Sequence, residues 1–264
     1  MKVLILTPQV HFHSPAVMRK IFELHKDSNI EFSVIITPKI SSNEKSPASF
    51  KRIINDSGLK YLFYMVLMKL KFDFYRRLET LFPKEKNKRK FLSPEEICQL
   101  CHIDCHIIDK INSEKALELV NRISPDIAIC IFFNQILKKD FINSIKGECL
   151  NLHPSLLPKY RGMSPVLWML SEGAEKGGAT LHHITKELDA GNIISQKSVD
   201  FSPNESFFTA YRKSAEAGSD LINELLSSGP CPEGDPQPGT GKIYGPFTRE
   251  ALKQLLKKYS FLKF

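Results

Sequence analysis

Several things are missing from this 264-residue chain, and each absence excludes a class of protein. It has no long apolar run. The longest, YLFYMVLM at 61–68, falls far short of the roughly 20 residues that a membrane-spanning helix needs. It has no glycine-rich turn after its first apolar segment. The stretch there is TPQVHFHSP (7–15), which argues against a dinucleotide site of the usual kind and against a glycine-rich phosphate cradle. No G-x-S-x-G surrounds Ser155, so that hydroxyl reads as a loop-shaping group rather than a nucleophile. No internal repeat is present. The opening MKVLILTPQ lacks a small-residue cleavage site and reads as a first strand, not an export signal. The six cysteines are therefore expected to stay reduced, as in a cytoplasmic protein, with no disulfide framework.

What is present is an ordinary globular composition, 42% hydrophobic and 25% charged, with the charge unevenly placed. Residues 50–90 hold twelve Lys or Arg against four acids, which accounts for the whole net charge of +8. Such a segment favours an anionic partner. Its plain reading is a pair of helices with a solvated basic loop. The other readings are an acceptor lid, a dimer contact, a surface for an anionic partner, or a basic amphipathic helix lying on a membrane.

Short β-rich runs alternate with capped helical segments as far as residue 155. KVLILTP (2–8), EFSVIITP (31–38), CHIID (105–109), DIAICIFF (126–133) and ECLNLHPS (148–155) read as strands. Ser14-Pro15, Ser93-Pro94-Glu95-Glu96 and Ser113 read as helix caps, and residues 50–82 as helical with Gly58 as the break. SSNEKSPAS reads as a polar loop and LKKDFINSI as a helix. The pattern predicts an α/β fold, a mostly parallel sheet with helices on both faces. After residue 160, GATLHHIT (178–185) and NIISQKSVDF (192–201), joined by KELDAG, read as strand–turn–strand. Helices are expected over about 204–227 and 248–259.

Two clusters of reactive side chains stand out. ICQLCHIDCH (97–106) carries Cys98, Cys101 and Cys105 among histidines. A zinc site would need four ligands from this compact run or a distant partner, and haem attachment suits an exported protein, so packing is the favoured reading. The second cluster lies where open α/β sheets put their chemistry, at a strand end feeding a loop. Alternation places Asn151 and His153 on one strand face, and Asp189 follows in a turn with Gly191. If the three converge, they suit acyl transfer. Asn and protonated His donate to a developing oxyanion, and the carboxylate sets the charge and orientation of the His. The plain reading makes Asn151 and His153 loop-capping groups and Asp189 a turn former.

The run NLHPSLLPKYRGMSP (151–165) followed by GATLHHITKELDAGNIISQ (178–196) resembles the catalytic core of the 10-formyltetrahydrofolate-dependent formyltransferases. That family includes methionyl-tRNA, glycinamide ribonucleotide and sugar N-formyltransferases. The resemblance covers about residues 100–200 well, and residues 1–40 in strand order only. It implies a Rossmann-like catalytic domain over 1–202 with a helical basic insertion at about 40–92, and a short, mainly helical extension over 203–264. It implies Asn151, His153 and Asp189 as catalytic residues and no metal. The folate side would fall on Gln135, Ile136, Leu137, Ser155, Leu156, Thr180, His182 and Gly191. His183 should point away from the site. The implied partners are 10-formyltetrahydrofolate and a small amine acceptor such as a nucleotide-linked amino sugar, while a homodimer stays open as a reading of the basic insertion. Two other functions stay open, methionyl-tRNA formylation and hydrolysis of formyltetrahydrofolate.

Overall fold

The computed structural model describes residues 1–38, 46–82, 89–202 and 205–259. Strands β1 (Lys2–Pro8) and β2 (Glu31–Thr37) are joined by helix α1 (Ser14–Leu24). The basic segment forms α2 (Ser46–Leu81), split by Gly58, whose φ of 86° no helix accepts. It begins at Ser46, ahead of the expected start at residue 50, on another Ser-Pro pair. Of the loop expected at 41–49, residues 46–49 instead open α2 and 41–45 lie outside the described residues, as does most of the basic run after Pro83. Next come α3 (Pro94–Cys101), β3 (Asp104–Ile107), α4 (Glu114–Ile123), β4 (Ile127–Ile131), α5 (Lys139–Asn143) and β5 (Glu148–His153). The expected caps at Ser93 and Ser113 are both formed, the first as a capping box with Glu96.

A short strand β6 (Arg161–Gly162), helix α6 (Pro165–Ser171), the hairpin strands β7 (Lys176–His183) and β8 (Ile193–Asp200), helix α7 (Phe207–Ser228), strand β9 (Ile243–Tyr244) and helix α8 (Arg249–Lys258) complete the order. The main sheet runs β3-β2-β1-β4-β5-β7-β8. Its first five strands are parallel and the last two antiparallel. β6 and β9 pair in a separate parallel ribbon.

Strand alternation sorts the core. Val3 and Ile5 face one layer with α1, α3 and α7, while Leu4 and Leu6 face the other with α4 and α5. Burial on both faces explains why β4 is apolar along its whole length. A third cluster joins α2, α6 and α8 around Met68, Leu167, Phe247 and Leu255. Cys98 lies inside the first cluster, with Cys101 and Cys105 packed against it. The hydrogen bond between Cys98 and Cys105 raises the Cys98 thiol pKa and lowers that of Cys105.

One expected cap is corrected. Ser14 is the first helical residue, His13 is the N-cap, and the Ser14 hydroxyl is buried with no hydrogen bond. The ring of His11 does the capping. Its Nδ1 accepts from the backbone N–H of His13 at 3.2 Å and of Ser14 at 3.1 Å. Among the described residues, no helix is long and apolar enough to cross a membrane.

Candidate active site

The antiparallel register of β5 and β7 sets Asn151 opposite His182 and His153 opposite Thr180. Partners of this kind share a face, so the polar side chains of Asn151, His153, Thr180 and His182 gather at the end of β5. Asp189 comes from the turn between β7 and β8 and closes the group. Its Oδ1 lies 3.4 Å from Asn151 Nδ2 and 3.8 Å from His182 Nε2. Its Oδ2 lies 3.6 Å from His153 Nδ1 and accepts the Gly162 N–H at 2.7 Å.

The partners fix the protons. His182 Nδ1 is 2.9 Å from the His183 carbonyl, which only accepts, so the proton sits on Nδ1. Nε2 is then free to accept from Asn151 Nδ2 at 3.1 Å. Asn151 thus donates one amide hydrogen to His182 and the other, more loosely, to Asp189. Burial, then the neighbouring His153, pushes the His182 pKa down to about 4, which keeps this ring neutral. His153 Nε2 is 2.8 Å from the Tyr160 carbonyl and must donate to it. In a neutral ring Nδ1 then turns a lone pair toward the Asp189 carboxylate, and a proton there converts the pair into an ion pair.

The surrounding backbone is tied down. Thr180 Oγ1 donates to the Ser155 carbonyl at 2.7 Å and accepts from Leu157 N at 3.1 Å and Gln196 Nε2 at 2.8 Å. Ser155 Oγ donates to the Lys159 carbonyl, so its hydroxyl shapes the loop. Arg161 donates to the Leu188 carbonyl, and Gln237 Nε2 to the carbonyls of Asp189 and Gly191. Asp189 itself sits at φ 49°, a left-handed conformation held by these contacts. Gly191 passes so close to β7 that an added Cβ would lie 1.9 Å from the His183 carbonyl oxygen.

The remaining sequence-predicted residues fall into two places. Leu156, half-buried, belongs to the loop after β5 beside Ser155. Gln135, Ile136 and Leu137 follow β4 at the same edge of the sheet. Gln135 is spent as a fastener, accepting from Ile111 N and donating to the Asp109 carbonyl. Leu137 is buried in the second core cluster, while Ile136 is 81% exposed. His183 points away, toward Glu148 and the Pro232 carbonyl.

Two strands over, the β1–α1 turn meets α2. His11 Nδ1 is occupied by backbone amides, so Nε2 carries the proton and donates to Tyr211 Oη at 3.1 Å. Its ring stacks on Phe132, and burial lowers its pKa to about 3. The α1 amides, which would otherwise suit an anion, are thus filled by this imidazole. Beside the turn lies a cleft of about 480 Å³, lined by Gln9, Phe12, Phe72, Glu95 and the cations Lys69, Arg76 and Arg77. A larger, more open hollow of about 580 Å³ lies at the opposite edge of the sheet, by Met1, Ser28 and Gly229. Among the described residues, no group of three or more His, Cys, Asp or Glu side chains is placed to hold a metal ion.

Solved structures share this fold. A phosphoribosylglycinamide formyltransferase from Anaplasma phagocytophilum superposes with a TM-score of 0.60 at 16% identity, over 93% of this chain and 99% of its own. A sugar N-formyltransferase from Shewanella superposes with a TM-score of 0.56 at 17% identity, over 93% of this chain and 76% of its own. In sequence, the methionyl-tRNA formyltransferase of Thermotoga neapolitana is 34% identical over 145 residues, 54% of this chain and 46% of that protein. The bifunctional polymyxin resistance protein ArnA of Wigglesworthia glossinidia brevipalpis is 37% identical over 116 residues, 44% of this chain and 18% of that protein. The chain thus spans about half the length of such curated relatives, or less. Residues 94–226, half of the chain, match the formyl transferase family model, and the chain belongs to this family of formyl-transferring enzymes.

Proposed function

We propose that the protein moves the formyl group of 10-formyltetrahydrofolate onto the amine of a small acceptor, with a nucleotide-linked amino sugar as the leading class. The observation that carries the reading is the convergence of Asn151, His153, His182 and Asp189 at one strand end. The acceptor nitrogen attacks the formyl carbon, and its lone pair forms the new C–N bond. The carbonyl π pair moves onto oxygen and then returns as the bond to the folate nitrogen breaks. The amine proton leaves and the folate nitrogen gains one, so the charges balance.

Asn151 is the oxyanion donor in this reading. Its bond to Asp189 is the looser of its two, so that hydrogen is the one to turn toward developing charge. His182, neutral and proton-bearing on Nδ1, holds the Asn151 amide by its other hydrogen. His153 and Asp189 form the pair that accepts and returns the proton. The folate substrate would lie along the loop after β4, where exposed Ile136 offers an apolar edge, with Leu156, Thr180 and Gly191 behind it. In this account residues 1–202 form the catalytic domain and 203–264 its extension.

The cleft beside α2 supports the small acceptor. Its volume is that of small-molecule sites, and it combines rings with unlike charges. Since β4 separates β1 from β5, the strand whose following turn lines the cleft is two strand spacings from the strand that bears Asn151, about 10 Å. That is a fitting span from an amine to a phosphate on one ligand. A second reading, formylation of charged initiator tRNA, is favoured by the named methionyl-tRNA relatives and by the basic α2. A turnover assay decides between them. Purified protein is given 10-formyltetrahydrofolate with nucleotide-linked amino sugars, with charged initiator tRNA, or with no acceptor, and tetrahydrofolate release and acceptor mass are followed. Release only with the sugars supports the proposal. Release only with tRNA overturns it in favour of the second reading, and release without acceptor points to a hydrolase.

A further inference from the structure

Helix α2 carries an uncovered apolar line. Leu59, Phe63, Val66, Leu70 and Phe74 are spaced by four, three, four and four residues, which puts them on one stripe. All five are exposed, from 44% for Val66 to 68% for Leu59. The stripe is about 22 Å long at the helical rise. The opposite face is anchored. Met68 is fully buried in the third cluster, Tyr61 packs on Phe247, and Arg249 donates to the Ile54 carbonyl. The stripe is therefore the outer side of a helix fixed to the body.

Cations border it. On the helical wheel Lys69 and Arg76 flank one side, Lys60 and Lys71 flank the other, and Arg77 continues the line itself. Asp73 is the one acid beside it, and it is paired with Lys69. Large apolar stripes of this kind on a soluble surface mark a contact. Rings and aliphatic chains edged by Lys and Arg match the chemistry of a lipid interface, where apolar side chains enter and cations meet headgroup phosphates.

We infer that this face of α2 docks the protein on the surface of a bilayer containing anionic lipids. The helix lies in the plane of the interface and does not cross it. A second copy of the chain is the poorer occupant, because two such faces would oppose their bordering cations with few acids between them. The apolar stripe lies outside the acceptor cleft, which Phe63 and Leu70 do not line, while Lys69, Arg76 and Arg77 border both.

Flotation with vesicles tests it, using phosphatidylcholine alone and phosphatidylcholine mixed with phosphatidylglycerol. The full chain is expected to float with the mixed vesicles and to release as salt rises. The double variant Phe63→Glu/Leu70→Glu is expected to bind at least about tenfold more weakly, with soluble-substrate turnover unchanged. Lys60→Glu leaves the stripe intact and is expected to weaken binding and flatten its salt dependence. Thermal melts check that each variant folds. Wild-type protein that ignores both vesicle types would overturn the inference, as would a folded double variant that binds as well as wild type. A wild-type dimer in sedimentation velocity that the double variant splits would assign the face to a second copy instead.

Discussion

His153 directs Nδ1 at Oδ2 of Asp189 across 3.6 Å, while its Nε2 is held by the Tyr160 carbonyl. The histidine thus has one nitrogen committed to the backbone and one left to respond to charge. Replacing Asp189 with Asn keeps the shape and an acceptor for the Gly162 N–H but removes the charge. Turnover is expected to fall at least about a hundredfold with little change in thermal stability, measured by single-turnover formyl transfer and a melt. A variant with near-normal rates would remove Asp189 from the proton path.

Asn151→Ala removes the amide that donates to both His182 and Asp189. The expected loss of transition-state stabilisation is about 2.7–4 kcal/mol, read as a drop in kcat with KM for folate retained. A rise in KM alone would make Asn151 a binding residue.

Burial holds His182 neutral, with a folded pKa of about 4 against an ordinary value of 6.5. The unfolded chain therefore binds more protons between these values, and stability rises with pH across that window. The contribution is fully present above 6.5 and is lost as pH falls toward 4, by an upper estimate of roughly 3 kcal/mol. His182→Gln keeps an acceptor for Asn151, and urea melts across the window are expected to show a flatter dependence. An unchanged slope would assign the acid sensitivity to other groups.

Thr180→Val leaves the buried Leu157 N–H and the Ser155 carbonyl without a partner. The expected cost is about 1–3 kcal/mol of stability by denaturant melt. Activity per folded molecule is expected to fall less than in the Asn151 variant.

His11→Ala uncovers the amides of His13 and Ser14 at the start of α1. Loss of this cap is expected to destabilise the protein by about 0.5–2 kcal/mol. Added inorganic phosphate is expected to raise the melting temperature of the variant more than that of wild type, because an anion can replace the imidazole. Equal responses would mean that the cradle collapses when the ring is removed.

The main sheet and most caps were legible because they rest on local signals. β1, β2 and β4 are short β-branched runs, and Ser93 with Glu96 is a capping box readable by spacing. Asn151 and His153 are legible by alternation and Asp189 as a turn residue, and the family resemblance sharpens their convergence into a site. Other parts left no such trace. β6 and β9 are two residues each, too short for any period. Helix α6 has only the Ser164-Pro165 pair to announce it, and the Ser164 side chain makes no cap hydrogen bond. A histidine that caps a helix through its own ring follows no spacing rule, so in the sequence His11 reads only as part of a turn. Gln237 reaches the Asp189 turn from 48 residues away, a contact that only the folded chain creates.

That last contact has a practical meaning for anyone dissecting the molecule. The segment that matches the family model ends at residue 226, yet the turn bearing Asp189 is pinned by Gln237 beyond it. The ribbon of β6 with β9 likewise fastens Gly162, which steadies the same carboxylate, to Tyr244. A chain cut after residue 226 would keep the main sheet and all four polar side chains and lose the buckle that holds the Asp189 turn. Homology boundaries and mechanical boundaries do not coincide here, and an inactive fragment would report a slack turn rather than missing chemistry.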